Sequence, residues 1–224
     1  KKALLVPFNT LQHARLAYSR MSIVFFEQKK EQEGLQALRN SISSAENKWE
    51  PYFIISKHFA EKDDSILAER FLVDGIKENP GNKDLLYYAA ELNEKSGATD
   101  KALNNLKAIT KYHPDETPAH YKQGLIHLEK SYYDEAIKSF KSVTERYPDN
   151  FESLFHMAIA YEGSGNSSQS KEIYNTLIRT NQDNPEVLVR LGSLYLREED
   201  NTGAKKYFLK LLNYEKYLTE AHLC

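Results

Sequence analysis

HYKQGLIHLEKSYYDEAIKSFKSVTERYP, residues 120–148, holds two runs of apolar residues at helical spacing, split by a short polar break and closed by a proline. Recurrence every three to four residues puts each run on one face of a helix. Pro148 ends the second helix, because it lacks a backbone N–H and biases the preceding residue away from helical angles. The same punctuation recurs upstream: NPGN at 79–82, HPDE at 113–116 and YPDN at 147–150 place Pro80, Pro114 and Pro148 34 residues apart.

That interval is a frame for most of the chain. Counted from Arg15, it continues at Trp49, Lys83, Thr117, Phe151, Pro185 and Thr219 without an insertion. Position 8 of each unit is small: Ser22, Ser56, Ala90, Gly124, Ala158 and Gly192. Position 20 is small again: Gly34, Ala68, Ala102, Ala136, Ser170 and Ala204. Position 24 is large: Leu38, Leu72, Leu106, Phe140, Tyr174 and Phe208. Position 11 carries Phe25, Phe59, Asn93, His127, Tyr161 and Tyr195, and position 32 carries Glu46, the three prolines, Gln182 and Lys216. Each unit reads as two amphipathic helices, over positions 2–14 and 18–30. Small residues bring the two backbones together, and the large one fills the space between neighbours. Helices of about a dozen residues are marginal alone in water, so each hairpin must stack on the next. Asn184 and Pro185 read as the cap and first residue of one such helix.

These residues resemble the tetratricopeptide repeat family, with Gly124, Ala136, Phe140 and Pro148 on its positions 8, 20, 24 and 32. The resemblance spans six repeats, 15–48, 49–82, 83–116, 117–150, 151–184 and 185–218. It implies an all-α, right-handed superhelical solenoid of tandem helix-turn-helix repeats. The family's Trp at position 4 is replaced by Tyr18, Tyr52, Leu86, His120, Leu154 and Leu188. Residues 1–14 read as a lead-in, with Thr10 as a cap for a longer first helix, and 219–224 as the start of a further, truncated helix. No initiator Met is present, and the expectation is a fragment of a longer array.

Bulk composition narrows the function. Of 224 residues, 30 are basic and 32 acidic, giving a net charge of −2, which offers no field for a phosphate backbone. The one cysteine, Cys224, rules out a disulfide framework or a Cys-based metal site. Apolar runs such as IVFF, 23–26, are far too short to span a bilayer, and KKALLVPF is no signal peptide. The expectation is no membrane insertion and no nucleic acid, with the compartment open between cytoplasm and periplasm.

Apparent chemical motifs have simpler readings. EGSGNSS, 162–168, contains G-x-G but falls where one helix must turn into the next, without a preceding strand or a following Lys. His113, His120 and His127 recur every seven residues, two helical turns, and lack an H-E-x-x-H pattern. Asp63–Asp64 and Glu198–Glu199 fall in inter-helix turns and read as solvated. No enzyme activity, metal or cofactor is expected.

The resemblance implies that function lines the concave wall, on the first helix of each repeat. Position 5 supplies Phe53, Tyr87, Tyr121 and Phe155, and position 6 supplies Tyr88, Lys122, His156 and Arg190. Lys57 and Glu91 stand at position 9. Rigid aromatics with cations beside them suit a protein or peptide ligand of mixed charge. The Lys and Asn pattern by which relatives grip acidic chaperone tails is missing. The expected function is a protein-interaction scaffold. Two alternatives stand: a homo-oligomer assembling through its array ends, with Leu209, Leu212 and Tyr214 pairing with a second copy, or a targeting module for an enzyme whose catalytic part lies elsewhere.

Overall fold

The computed structural model describes residues 8–180 and 184–221, with side chains over 11–180 and 184–213. Among these residues the secondary structure is twelve helices and no strand. They pair as hairpins: α1 (Phe8–Glu27) with α2 (Glu31–Ser43), α3 (Glu50–Glu61) with α4 (Ser65–Glu78), and α5 (Lys83–Lys95) with α6 (Thr99–Tyr112). Then follow α7 (Thr117–Glu129) with α8 (Tyr133–Thr144), α9 (Phe151–Gly163) with α10 (Ser167–Thr180), and α11 (Pro185–Arg197) with α12 (Asn201–Ala221). The chain divides into two compact units, 1–115 and 116–224. Within the first, α3 lies on α1 and α2, and α5 on α4; within the second, α9 lies on α7 and α8, and α11 on α10.

Burial follows the repeat positions. In the first unit Phe26, Phe59 and Phe71 form a ring cluster, Phe26 to Phe71 at 4.9 Å and to Phe59 at 6.4 Å. In the second, Tyr174, Leu177, Leu188 and Leu191 are fully enclosed. The small residue at position 8 also forms polar contacts where it is serine. Ser22 Oγ donates to the Gly34 carbonyl and Ser56 Oγ to the Ala68 carbonyl, both at 2.8 Å, tying the helices of a hairpin together. Where position 8 is Gly124, the Phe140 ring occupies the vacated space. A Cβ on Gly124 would stand 2.6 Å from Phe140 Cε1.

The turn inside each hairpin has one recurring geometry. Lys29, Asp63, Gly97, Ser131, Gly165 and Glu199, all at position 15, have φ between +59° and +81°. The next N–H reaches back to the carbonyl of position 11, as in Asp64 to Phe59 at 2.9 Å and Tyr132 to His127 at 2.8 Å. This is the six-to-one bond that ends a helix through a left-handed residue. Only two of the six are glycine. A Cβ on Gly97 would meet nothing within 4 Å, so Gly97→Ala adds left-handed strain and no clash. It is expected to lower stability by about 1 kcal/mol, read as a shift in the urea unfolding midpoint.

Caps start the following helices. Asn184 accepts from Glu186 and Val187 N–H at 3.0 and 3.2 Å, with Pro185 at the first helical position. Asn82 and Asn150 cap α5 and α9 in the same way.

At its two ends the structure differs from the expectations drawn from sequence. Helix α1 begins at Phe8, so residues 8–14 are helical and Thr10 lies inside the helix rather than capping it. Pro7 precedes that start, and nothing from Phe8 onward interrupts the backbone ladder. Helix α12 runs on through Thr219 to Ala221, so Thr219 opens no helix of its own. Lys216 occupies the place where Pro80, Pro114 and Pro148 stop their helices, and it carries no such block. Gln182 and residues 222–224 lie outside the described residues.

Candidate functional site

In the first unit, Phe53 and Lys57 are one turn apart on α3, and Tyr87, Tyr88 and Glu91 share a stretch of α5. The structure brings Phe53 and Tyr88 together edge to face, with centroids 5.2 Å apart, and Trp49 adjoins Phe53 at 6.1 Å. Phe53, Tyr87 and Tyr88 are half-buried, whereas Lys57 and Glu91 are exposed. Glu91 pairs with Lys95 at 2.8 Å along its own helix. The Tyr88 hydroxyl is pushed above its ordinary pKa by burial, then by the Glu61 and Glu91 carboxylates. It therefore offers a neutral O–H donor beside acidic groups, on a rigid aromatic step.

In the second unit, Tyr121 and Lys122 lie on α7, Phe155 and His156 on α9, and Arg190 on α11. Tyr121 and His156 meet with centroids 5.8 Å apart. His156 Nδ1 sits 2.8 Å from the Glu152 carbonyl, which makes that nitrogen the ring's N–H donor. Lys122 is half-buried. Phe155 departs from the expectation of a surface contact. Only 7% exposed, it packs on Tyr174 with centroids 6.0 Å apart and belongs to the core. Its place behind the face comes from the position-24 ring of its own repeat, against which it closes.

Arg190 is also committed within the fold. Its guanidinium bonds Glu162 at 3.2 Å, lies 3.7 Å from Glu186 and covers the Phe155 ring at 5.6 Å. Glu162, with a side chain 11% exposed, further accepts from Arg197 at 2.5 Å and from the Tyr174 hydroxyl at 2.9 Å. Sequence reasoning missed this carboxylate, reading the stretch from 162 only as a turn. The signal was available: Glu162 is at position 12, and Arg190 and Arg197 are at positions 6 and 13 of the next repeat, all of them on the first helices of their hairpins.

Tyr174 gives the second unit a pH signature. Burial first, then the Glu162 carboxylate, holds its hydroxyl well above the ordinary 10.0. The unfolded chain then loses this proton before the folded one does. Stability is complete below pH 10 and declines as pH rises beyond it. Half-buried Tyr52 and Tyr121 and buried Tyr207 shift the same way. Denaturation midpoints should therefore fall on the alkaline side of 10.0, less steeply in Tyr174→Phe.

The remaining motifs take structural parts. Gly165 supplies a left-handed turn with φ +81°, and Asn166 caps α10. His113 Nε2 meets the Gly81 carbonyl at 2.6 Å, and His127 is buried near Ser139. Asp64 caps α4 through Leu67 N–H at 3.0 Å. Glu198 is not simply solvated: it pairs with Lys171 at 2.5 Å. Among the described residues no group of His, Cys, Asp or Glu is arranged to hold a metal ion, and no helix is long and apolar enough to cross a membrane.

Comparison with known proteins gives a consistent picture. Three family models, each described as tetratricopeptide repeat, match residues 94–151, 127–191 and 185–217. No curated protein matches. Among solved structures, MamA (41-end) from Desulfovibrio magneticus RS-1 is similar with a TM-score of 0.64 and 19% identity, covering 76% of this chain and 97% of that one. A tetratricopeptide repeat protein from Parabacteroides merdae ATCC 43184 gives 0.57 and 18%, covering 90% of this chain and 80% of its own. YrrB, described as a tetratricopeptide repeat protein with an unusual peptide-binding site, gives 0.54 and 18%, over 76% and 88%.

Proposed function

This chain belongs to the tetratricopeptide repeat family, and from that premise we propose that it is a protein-interaction scaffold without catalytic function. In this reading its repeats are residues 15–48, 49–82, 83–116, 117–150, 151–184 and 185–218. Within each unit, a peptide or helix of the partner lies against the first helices of the hairpins. The observation that carries the reading is the Phe53–Tyr88 step, half-buried rings at 5.2 Å with exposed Lys57 and Glu91 beside them. Preordered aromatics with a polar handle lose little side-chain entropy on binding, which is why they dominate interface energetics. In the second unit, Tyr121, Lys122 and His156 are the contacting set. Phe155 supports them from behind, and Arg190 is held by Glu162.

The test is capture from the source cell's lysate by wild type and by Tyr88→Ala/Lys122→Glu, with helical content compared by circular dichroism. Wild type should retain a partner that the variant loses at unchanged helicity. Equal retention by both would remove the assignment. A second reading, self-association, draws on the 49% and 59% exposure of Leu209 and Leu212 on α12; the Tyr214 side chain lies outside those described. Mass measured by light scattering across a concentration series decides it.

A further inference from the structure

At position 11 five repeats place a ring, and Asn93 is the exception. What those rings touch defines the place they fill. Phe59 meets Phe26, position 12 of the preceding repeat, and Phe71, position 23 of its own. Tyr195 stacks on Tyr207 at position 23 with centroids 5.5 Å apart, takes Lys171 Nζ over its ring at 4.9 Å, and presses on Gly203 at position 19.

In the third repeat every counterpart is small or polar. Position 12 of the preceding repeat is Ala60, and position 23 is Asn105. Two adjoining clefts open there, one of about 330 Å³ between α3, α4 and α5 and one of about 190 Å³ between α4, α5 and α6, sharing Glu69, Leu72, Ala89 and Asn93. Ala60, Lys101 and Asn105 complete the match to the positions that enclose a ring elsewhere. Leu72 and Ala89 make an apolar floor. The Asn93 amide donates to the Ala89 carbonyl at 2.7 Å, which leaves its side-chain oxygen as an acceptor. The lining charges are Lys101 and Glu69, which neutralise one another in an ion pair, Lys95, which pairs with Glu91, and Asp63, an acceptor suited to a hydroxyl. The cleft therefore complements an uncharged group with an apolar body and a hydroxyl tip.

We infer that this cleft is a docking site for an aromatic side chain, tyrosine above others, presented by a protein partner: the partner supplies the ring that the third repeat lacks. The inference rests on the reading of the chain as a protein-binding scaffold but uses a different surface, since Phe53, Lys57, Tyr87, Tyr88 and Glu91 line neither cleft.

The experiment titrates the whole chain with N-acetyl-tyrosinamide and, separately, N-acetyl-leucinamide, following backbone amide NMR shifts. The tyrosine probe should move amides around Ala89 and Asn93 with a dissociation constant on the order of millimolar, the scale for one small group, at least several-fold tighter than the leucine probe. Asn93→Phe should fold, raise the melting temperature and abolish those shifts. Ala60→Phe, which closes the cleft from α3, is the second blocking variant should Asn93→Phe fail to fold. Lys122→Glu, a member of the proposed contacting set in the second unit, should leave the shifts intact, so that loss of partner binding there and loss of cleft binding are separable. Equal response to both probes, shifts located elsewhere, or shifts that survive the blocking variants overturn the inference.

Discussion

Phe140→Ala should destabilise the second unit by about 4 kcal/mol, the range for truncating a fully enclosed phenylalanine. Its ring is 0% exposed, stacks on His156 with centroids 5.7 Å apart and meets Tyr121 at 5.8 Å. The surroundings cannot collapse into the gap, because the wall on one side is the backbone of Gly124. A urea series followed by circular dichroism checks this. A loss below about 1 kcal/mol, typical of a surface change, would mean that the ring is not in the core. Because Tyr121 and His156 rest on this ring, the same variant should displace both side chains of the proposed contacting set.

Gly124→Ala should cost about 2 kcal/mol, even though alanine is intrinsically the better helix former by about 1 kcal/mol. The added methyl would stand 2.6 Å from Phe140 Cε1, and Phe140 is enclosed on all sides. The origin of the cost is testable by a double-mutant cycle. In a Phe140→Leu background the space opposite position 8 is open, and the alanine penalty should shrink to near zero or change sign. A penalty that stays the same in both backgrounds would place its origin in the helix backbone rather than in this contact.

Much of the fold was legible because the repeat positions carry sizes, not identities. Gly124 facing Phe140 and Ser56 facing Ala68 are consequences of small residues at 8 and 20 and a large one at 24, whatever the residue. The turn conformation at position 15 was hidden, since Lys29, Asp63, Ser131 and Glu199 adopt the left-handed angle without being glycine. The hairpin bond to position 11 holds them there, and no local propensity announces it. The proposed contact residues were half legible. Tyr88 and Phe53 meet, but frame position alone does not tell an outward ring from one that closes on Tyr174, as Phe155 does. Charge was less legible still: Arg190 reads as an available cation until Glu162, 28 residues earlier, is seen to hold it. Asn93 stood in plain view at position 11, and only the cleft beside it shows what its small size means.

The central claim is that a partner lies against the first helices of the hairpins in each unit. Photo-crosslinking from inside the native complex tests it most directly, with p-benzoylphenylalanine placed singly at Tyr88, at Lys122 and at Ile66, which is 79% exposed on α4. The account predicts adducts with the same partner from Tyr88 and Lys122 and none from Ile66. Adducts from Ile66, with none from the other two, would contradict it.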